Sequence, residues 1–172
     1  MNDDIKIQYI PYKLKGDPIY NFLKDLKDYY PDFDEWYQRL YIPPNGVTTH
    51  LKLDRAIIIA RKPKIINKTI FNARISNISD EIVGVLILKN NKQENKICTL
   101  KVSDEYQKQG IGSRLIMTAL TYIGDKNIKL SVCEENEHKL IPILNKFNFL
   151  RIERYKKDNN KYEIIYERPS NL

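Results

Sequence analysis

The sequence predicts an α/β domain: a mixed sheet of about seven strands, covered by about four helices. Three observations carry that prediction. Apolar runs rich in β-branched residues alternate with stretches of helical period along the chain. One of these runs, Ile97–Val102, feeds a glycine-bearing turn that opens into an amphipathic helix pattern, Ile111–Ile123. The chain also ends on two short apolar runs around Asp158-Asn159-Asn160, which has the signature of a hairpin.

In chain order, Lys6–Tyr12 reads as a first strand, ended by Pro11 and the turn Lys15-Gly16-Asp17-Pro18. Ile19, Phe22, Leu23, Leu26 and Tyr30 recur at helical spacing, which predicts a helix over 18–29 stopped by Pro31. Asp32, with Glu35 three residues on, has the form of a capping box. A second helix is therefore predicted over about 33–41, closed by Pro43-Pro44. Arg55–Arg61 and Glu81–Leu88 are buried-strand runs. The residues between them are too many for a tight turn and hold Ile65, Ile66, Ile70 and Ile75, so they extend the strands or add a small ribbon.

Asn90-Asn91 turns the chain into the strand Ile97–Val102, which leads to the helix. There Ile111, Leu115, Ala119 and Ile123 lie four apart, and Gly124-Asp125 turns into a strand over Ile128–Cys133. A short helix is predicted around 138–147, with Pro142 in its first turn or two and Asn148 as a left-handed cap. Strands at 150–155 and 161–167 complete the set. No repeat or linker interrupts the pattern, so a single domain over residues 1–172 is expected.

Composition is that of a globular protein, 42% hydrophobic and 30% charged. No apolar run approaches the roughly 18 residues of a membrane span, and the acidic N-terminus lacks a signal-peptide core. A cytoplasmic protein without a membrane partner is expected. Cys98 and Cys133 read as buried small hydrophobes. With His50 and His138 alone beside them they do not assemble a zinc set, so no metal is expected. The net charge of +7 is concentrated in residues 51–75, where Lys52, Arg55, Arg61, Lys62, Lys64, Lys68 and Arg74 face only Asp54. Such a block is either a solvated face or a polyanion-facing patch. Nucleic acid is thus admitted as a partner but not favoured, and a homodimer stays open.

The most specific chemistry lies in residues 102–116, where Gln107-x-x-Gly110-x-Gly112 joins the strand to the helix. The first amides of a helix have no intrahelical partner, and the helix dipole adds about half a positive charge there. Gly110 and Gly112 remove Cβ atoms that would hold a phosphate away from those donors. The stretch reads as a pyrophosphate cradle. A Walker loop is absent, and a dinucleotide fingerprint fails because its third glycine position is Leu115.

Taken together, the element order and these motifs resemble the GNAT superfamily of acyl-CoA-dependent N-acyltransferases. The match is carried by Val102-x-x-Glu105-Tyr106-Gln107-x-x-Gly110-Ile111-Gly112, with Glu81-Ile82-Val83-Gly84 before it and Lys146-Phe147-Asn148-Phe149 after it. The resemblance implies a mostly antiparallel sheet splayed between strands 4 and 5, here Ile97–Val102 and Ile128–Cys133, with acetyl-CoA as cosubstrate. It implies that amides of Lys108, Gln109, Gly110, Ile111, Gly112 and Ser113, beside Gln107, hold the pyrophosphate. Main-chain groups of Leu100 and Val102 are then expected to pair with the pantetheine arm. The sequence departs from the family at Asp104, where Pro is common. It departs again at Leu144, where the Tyr that protonates the leaving thiolate usually falls, so that role has no assigned residue.

Acyl transfer needs a neutral amine, and a lysine-like amine with pKa about 10.4 must lose a proton first. Ile97–Ser103 contains no carboxylate; Glu134 and Glu135, just after Cys133, are the candidate catalytic bases. Cys133 has no His positioned to activate it as a nucleophile. Tyr29, Tyr30, Phe33, Trp36, Tyr37 and Tyr41 form either an acceptor-side wall or a helix core, and Tyr155, Tyr162 and Tyr166 either pack or reach into the site. The expected function is transfer of acetyl from acetyl-CoA to an amine of a small molecule or peptide, by direct attack in a ternary complex. One alternative is a toxin-like acetyltransferase of aminoacyl-tRNA, suggested by segment 51–75 and by Arg151, Arg154, Lys156, Lys157 and Lys161. Another is a non-catalytic acyl-CoA-binding module.

Overall fold

The computed structural model describes residues 5–10, 17–41, 55–70, 73–124, 126–157 and 160–170. They form one seven-stranded sheet in the order β1-β2-β3-β4-β5-β7-β6. The strands are β1 (Lys6–Ile10), β2 (Arg55–Ile70), β3 (Ala73–Asn90), β4 (Asn95–Val102), β5 (Ile128–Cys133), β6 (Leu150–Lys156) and β7 (Tyr162–Arg168). All neighbours are antiparallel except β4 and β5. Residues 62–70 and 73–79 extend β2 and β3 into one long antiparallel pair whose register runs to Ile70↔Ala73. The Pro11 and Pro43-Pro44 stops, Lys15-Gly16, and residues 51–54 of the basic segment lie outside the described residues.

Helices cover both faces. On one, α3 (Ile111–Ile123) and α4 (Glu134–Lys146) bury Ile111, Leu115, Ile116, Ala119, Ile123 and Leu144 against Val83, Leu86, Leu88, Val132 and Ile164. On the other, α1 (Pro18–Leu23) and α2 (Phe33–Gln38) bury Ile19, Leu23, Phe33 and Tyr37 against Ile57, Ile59, Val85 and Ile87. The alternation Ile57/Ile59 against Ile58/Ala60 feeds the two cores from one strand, as expected for a strand covered on both faces. At Gly84 the sheet and α3 touch: an added Cβ would lie 3.1 Å from Leu115 Cδ1 and 3.2 Å from Ile111 Cγ2. Gly84→Val should therefore overpack the core by about 2 kcal/mol and lower Tm by roughly 4–8 °C in calorimetry.

Three helix boundaries differ from the sequence expectation. The helix predicted over 18–29 is α only to Leu23 and continues as a 3₁₀ turn, Lys24–Asp28. The Phe22 carbonyl, which an α-helix would use at Leu26, instead accepts Lys101 Nζ at 2.7 Å. The capping box is not made: Asp32 is the N-cap residue but its side chain bonds no amide, and Glu35 turns to Arg39 at 2.9 Å. Its φ of −87° and ψ of 11° lie outside the extended region a capping side chain needs. Lastly, α4 starts at Glu134 rather than near 138, so Pro142 sits in its third turn. Glu134, Glu135 and Glu137 fall in the first turn, where the helix dipole favours negative charge. Asn148 takes the left-handed cap, with φ 56°, and the Phe149 amide closes back on the Leu144 carbonyl at 3.0 Å.

Candidate active site

The site begins with one extra residue in β4. Thr99 pairs with Ile87 and Ile97 with Leu88, so Cys98 has no partner of its own. A bulge of this kind bends its strand and breaks pairing on the far edge. The β4–β5 ladder accordingly contains only Lys96↔Lys129 and Ile97↔Leu130, and beyond it the two parallel strands separate. The splay expected between strands 4 and 5 is thus present. The Ser103 amide donates to the Val83 carbonyl at 3.0 Å. Because peptide groups alternate sides along a strand, the main-chain groups of Leu100 and Val102 turn the other way, into the gap. Gln107 Nε2 reaches the Val102 carbonyl from that side at 3.2 Å and is held by Asp104 Oδ1 at 2.6 Å.

The chain then turns through a 3₁₀ segment, Asp104–Tyr106, and two left-handed residues, Lys108 with φ 58° and Gly110 with φ 80°. Gly110 is the N-cap residue of α3; no side chain caps the helix and no acid lies in its first turn. This contrasts with α1, where the Asp17 side chain accepts from the Tyr20 amide at 3.1 Å. The first amides of α3 therefore have neither a capping side chain nor an acid in their own turn to offset the helix dipole. A Cβ on Gly110 would meet nothing within 4 Å, so the space beside this residue is open. Gly112 has a different reason from the one the sequence suggested: its missing Cβ faces Ile143 Cδ1 at 3.2 Å, letting α4 approach α3. Ile111 buries its side chain in the core and offers only main chain, whereas Lys108 and Gln109 are exposed.

Across the gap, the candidate bases from sequence are drawn elsewhere. Both Glu134 oxygens are engaged by Arg154, at 2.7 and 3.0 Å, and the guanidinium holds this carboxyl below its usual range. Glu135 is exposed beside Lys161 Nζ at 3.7 Å. Sequence reasoning missed Glu163 on β7, directly opposite Cys133 on β5. Only 5% exposed, it is the buried charged residue among those described. It accepts from the Tyr155 hydroxyl, from Lys157 Nζ at 3.0 Å and from the Ser131 hydroxyl. Burial pushes its carboxyl up, but these donors outweigh burial and hold it net below the usual value.

Tyr30 completes the cluster, its hydroxyl 3.5 Å from Cys133 Sγ and its ring 5.0 Å from Lys157 Nζ. Burial first, then the bond to Cys133, keeps the Tyr30 hydroxyl firmly protonated; burial and Glu163 do the same for Tyr155. The aromatic set divides. Phe33 and Tyr37 are core, Trp36 lies under Arg55 at 5.7 Å, and Tyr29 lies under Lys161 at 5.7 Å. Tyr162 is stacked by Arg154 at 3.5 Å. Tyr166 points to the other face, where its hydroxyl, pushed up to about 12 by burial and Glu137, donates to Glu137 at 2.6 Å. No helix among the described residues is long and apolar enough to cross a membrane.

Comparison with known proteins fits this geometry. No curated protein matches the chain by sequence. Several solved structures share the fold. The ribosomal-protein-S18-alanine N-acetyltransferase from Escherichia coli superposes with a TM-score of 0.62 at 13% identity, over 98% of this chain and 95% of that one. A spermidine N-acetyltransferase chimera from Vibrio cholerae and hSSAT gives 0.59 at 15%, over 95% and 94%. A NatC complex bound to Gag peptide and CoA gives 0.54 at 18%, over 95% and 98%. The family model for the acetyltransferase (GNAT) domain matches residues 64–161, more than half of the sequence, and spans most of the long hairpin, the splay, the turn into α3 and Lys157. The chain belongs to the GNAT acetyltransferase family.

Proposed function

We propose that this domain transfers an acetyl group from acetyl-CoA to an amine of a small molecule or peptide, by direct attack in a ternary complex. The observation that carries the reading is the open β4–β5 gap running into the uncapped start of α3. The gap offers main-chain groups of Leu100 and Val102 to an extended amide-bearing arm. The amides from Lys108 to Ser113 offer donors to a diphosphate, with Gln107 bracing the turn between. The open space at Gly110 fits a bound phosphate. When bound, acetyl-CoA supplies the activated acyl group as a thioester.

Glu163, in place of Glu134 or Glu135, is the group we assign to take a proton from the acceptor ammonium. It is ionised at neutral pH, shielded from water and next to the strand that borders the gap. Tyr30, protonated and beside Cys133, is placed to return a proton to the departing sulfur. The relatives named for alanine and spermidine acetylation support an amine acceptor. The tRNA reading loses ground because Arg151, Arg154, Lys157 and Lys161 are paired with Glu137, Glu134, Glu163 and Glu135. Acetyl-CoA at about 100 times its Kd should add about 2.7 kcal/mol, raising Tm by roughly 5–10 °C. Stabilisation without thiol release over an amine panel would leave a binding module; no stabilisation would remove both readings.

A further inference from the structure

We propose that the chain acetylates itself at Lys157, an inference that rests on the acetyltransferase reading above. Lys157 immediately follows β6, and its Nζ lies 3.0 Å from Glu163 Oε2 and 5.0 Å from the centre of the Tyr30 ring. The protein thus places an ammonium of its own on the buried carboxylate assigned as base, at the end of β5 that borders the gap. The other lysine ion pairs described here go to carboxylates far more open to water. Those of Lys27, Lys89, Lys101 and Lys161 have partners 49%, 38%, 61% and 60% exposed, against 6% for Glu163.

The tether is short and anchored. The Lys157 amide donates to the Lys161 carbonyl at 2.7 Å, and its carbonyl accepts the Asn160 amide at 3.0 Å. A tethered amine reaches a neighbouring electrophile at an effective concentration no free acceptor matches.

The step balances without further reagents. The Lys157 ammonium gives one proton to Glu163, and the neutral amine forms a C–N bond to the carbonyl carbon of the acetyl thioester. The C–S bond breaks, the second amine proton passes to the departing sulfur, and Glu163 returns its proton to solvent. The products are Nε-acetyl-lysine, free CoA and one proton. Acetylation removes the charge that pairs Lys157 with Glu163 and with the Tyr30 ring, so the modified chain frees its base. An acceptor amine uses the same carboxylate and slows the self-reaction.

The test incubates the full chain with acetyl-CoA and follows intact mass, then maps the modified peptide. The expected result is one acetyl group per chain, on Lys157, at a first-order rate independent of protein concentration over a 100-fold range. Glu163→Gln should slow that reaction at least 10-fold while leaving slow background acetylation of exposed lysines unchanged. Acetyl spread evenly over exposed lysines, or a rate proportional to protein concentration, would overturn the proposal. So would an unmodified Lys157 in a protein that releases thiol with amine acceptors, and this last result leaves the acetyltransferase reading standing. Failure of acetyl-CoA both to stabilise the protein and to release thiol would remove the two together.

Discussion

Gly110→Val should abolish acetyl-CoA binding, raising Kd at least 100-fold in titration calorimetry, or about 2.7 kcal/mol. Two effects add. Gly110 has φ 80°, a conformation that costs a β-branched residue about 1–2 kcal/mol, so the turn distorts or the fold is strained. A valine side chain would also enter the open space beside Gly110, where the proposed phosphate would lie. Strain alone would appear as lower stability with binding kept; occlusion appears as lost binding in a protein that still melts cooperatively. Gly112→Ala makes the contrast. Its Cβ would press on the flexible tip of Ile143, so it should shift Tm slightly and change Kd much less.

The second large effect is expected at Glu163. Glu163→Gln should lower kcat/KM for an amine acceptor by about 10²–10⁴ while leaving acetyl-CoA affinity within about twofold. Glu134→Gln, by contrast, removes only an ion pair with Arg154 and should change the rate little. The pH dependence follows from the folded-state carboxyl of Glu163, which lies below its ordinary 4.5. Its ionisation stabilises the fold above the unfolded pKa, and that contribution is lost as pH falls through the depressed folded value. The substitution should therefore flatten stability against pH below about 4.5, measured by urea titration. In the neutral range the base is already charged, so a rising rate there follows deprotonation of the acceptor.

What the sequence made legible is local. The strand, glycine turn and helix at 97–123 announce themselves because period, turn chemistry and helix start agree within a few residues. The order of strands and helices along the chain follows for the same reason, and Asn148 is read correctly as a left-handed cap. Contacts between distant segments were not legible. The bulge at Cys98 arises from pairing with β3 and leaves no mark in composition. Lys101 ends the α-helical part of α1 from 79 positions away. The run Glu134–Glu137 looks like a solvated loop until its place at the start of a helix is known.

Glu163 is not legible because its neighbours come from two other segments, Tyr155 and Lys157 from the end of β6 and Ser131 from β5. One signal was available. Glu163 lies within the apolar and aromatic run Tyr162–Tyr166, in step with Ile165, so a strand there carries an acid among otherwise uncharged side chains. Such a carboxylate needs donors, and finding them leads to the cluster.

A crystal grown with coenzyme A shows where the nucleotide sits. The expected density puts a pyrophosphate against the amides of residues 108–113, a pantetheine arm along Leu100 and Val102, and the sulfur in the gap on the side of Cys133 and Glu163. A nucleotide bound elsewhere, with the space before Gly110 still open, would contradict it.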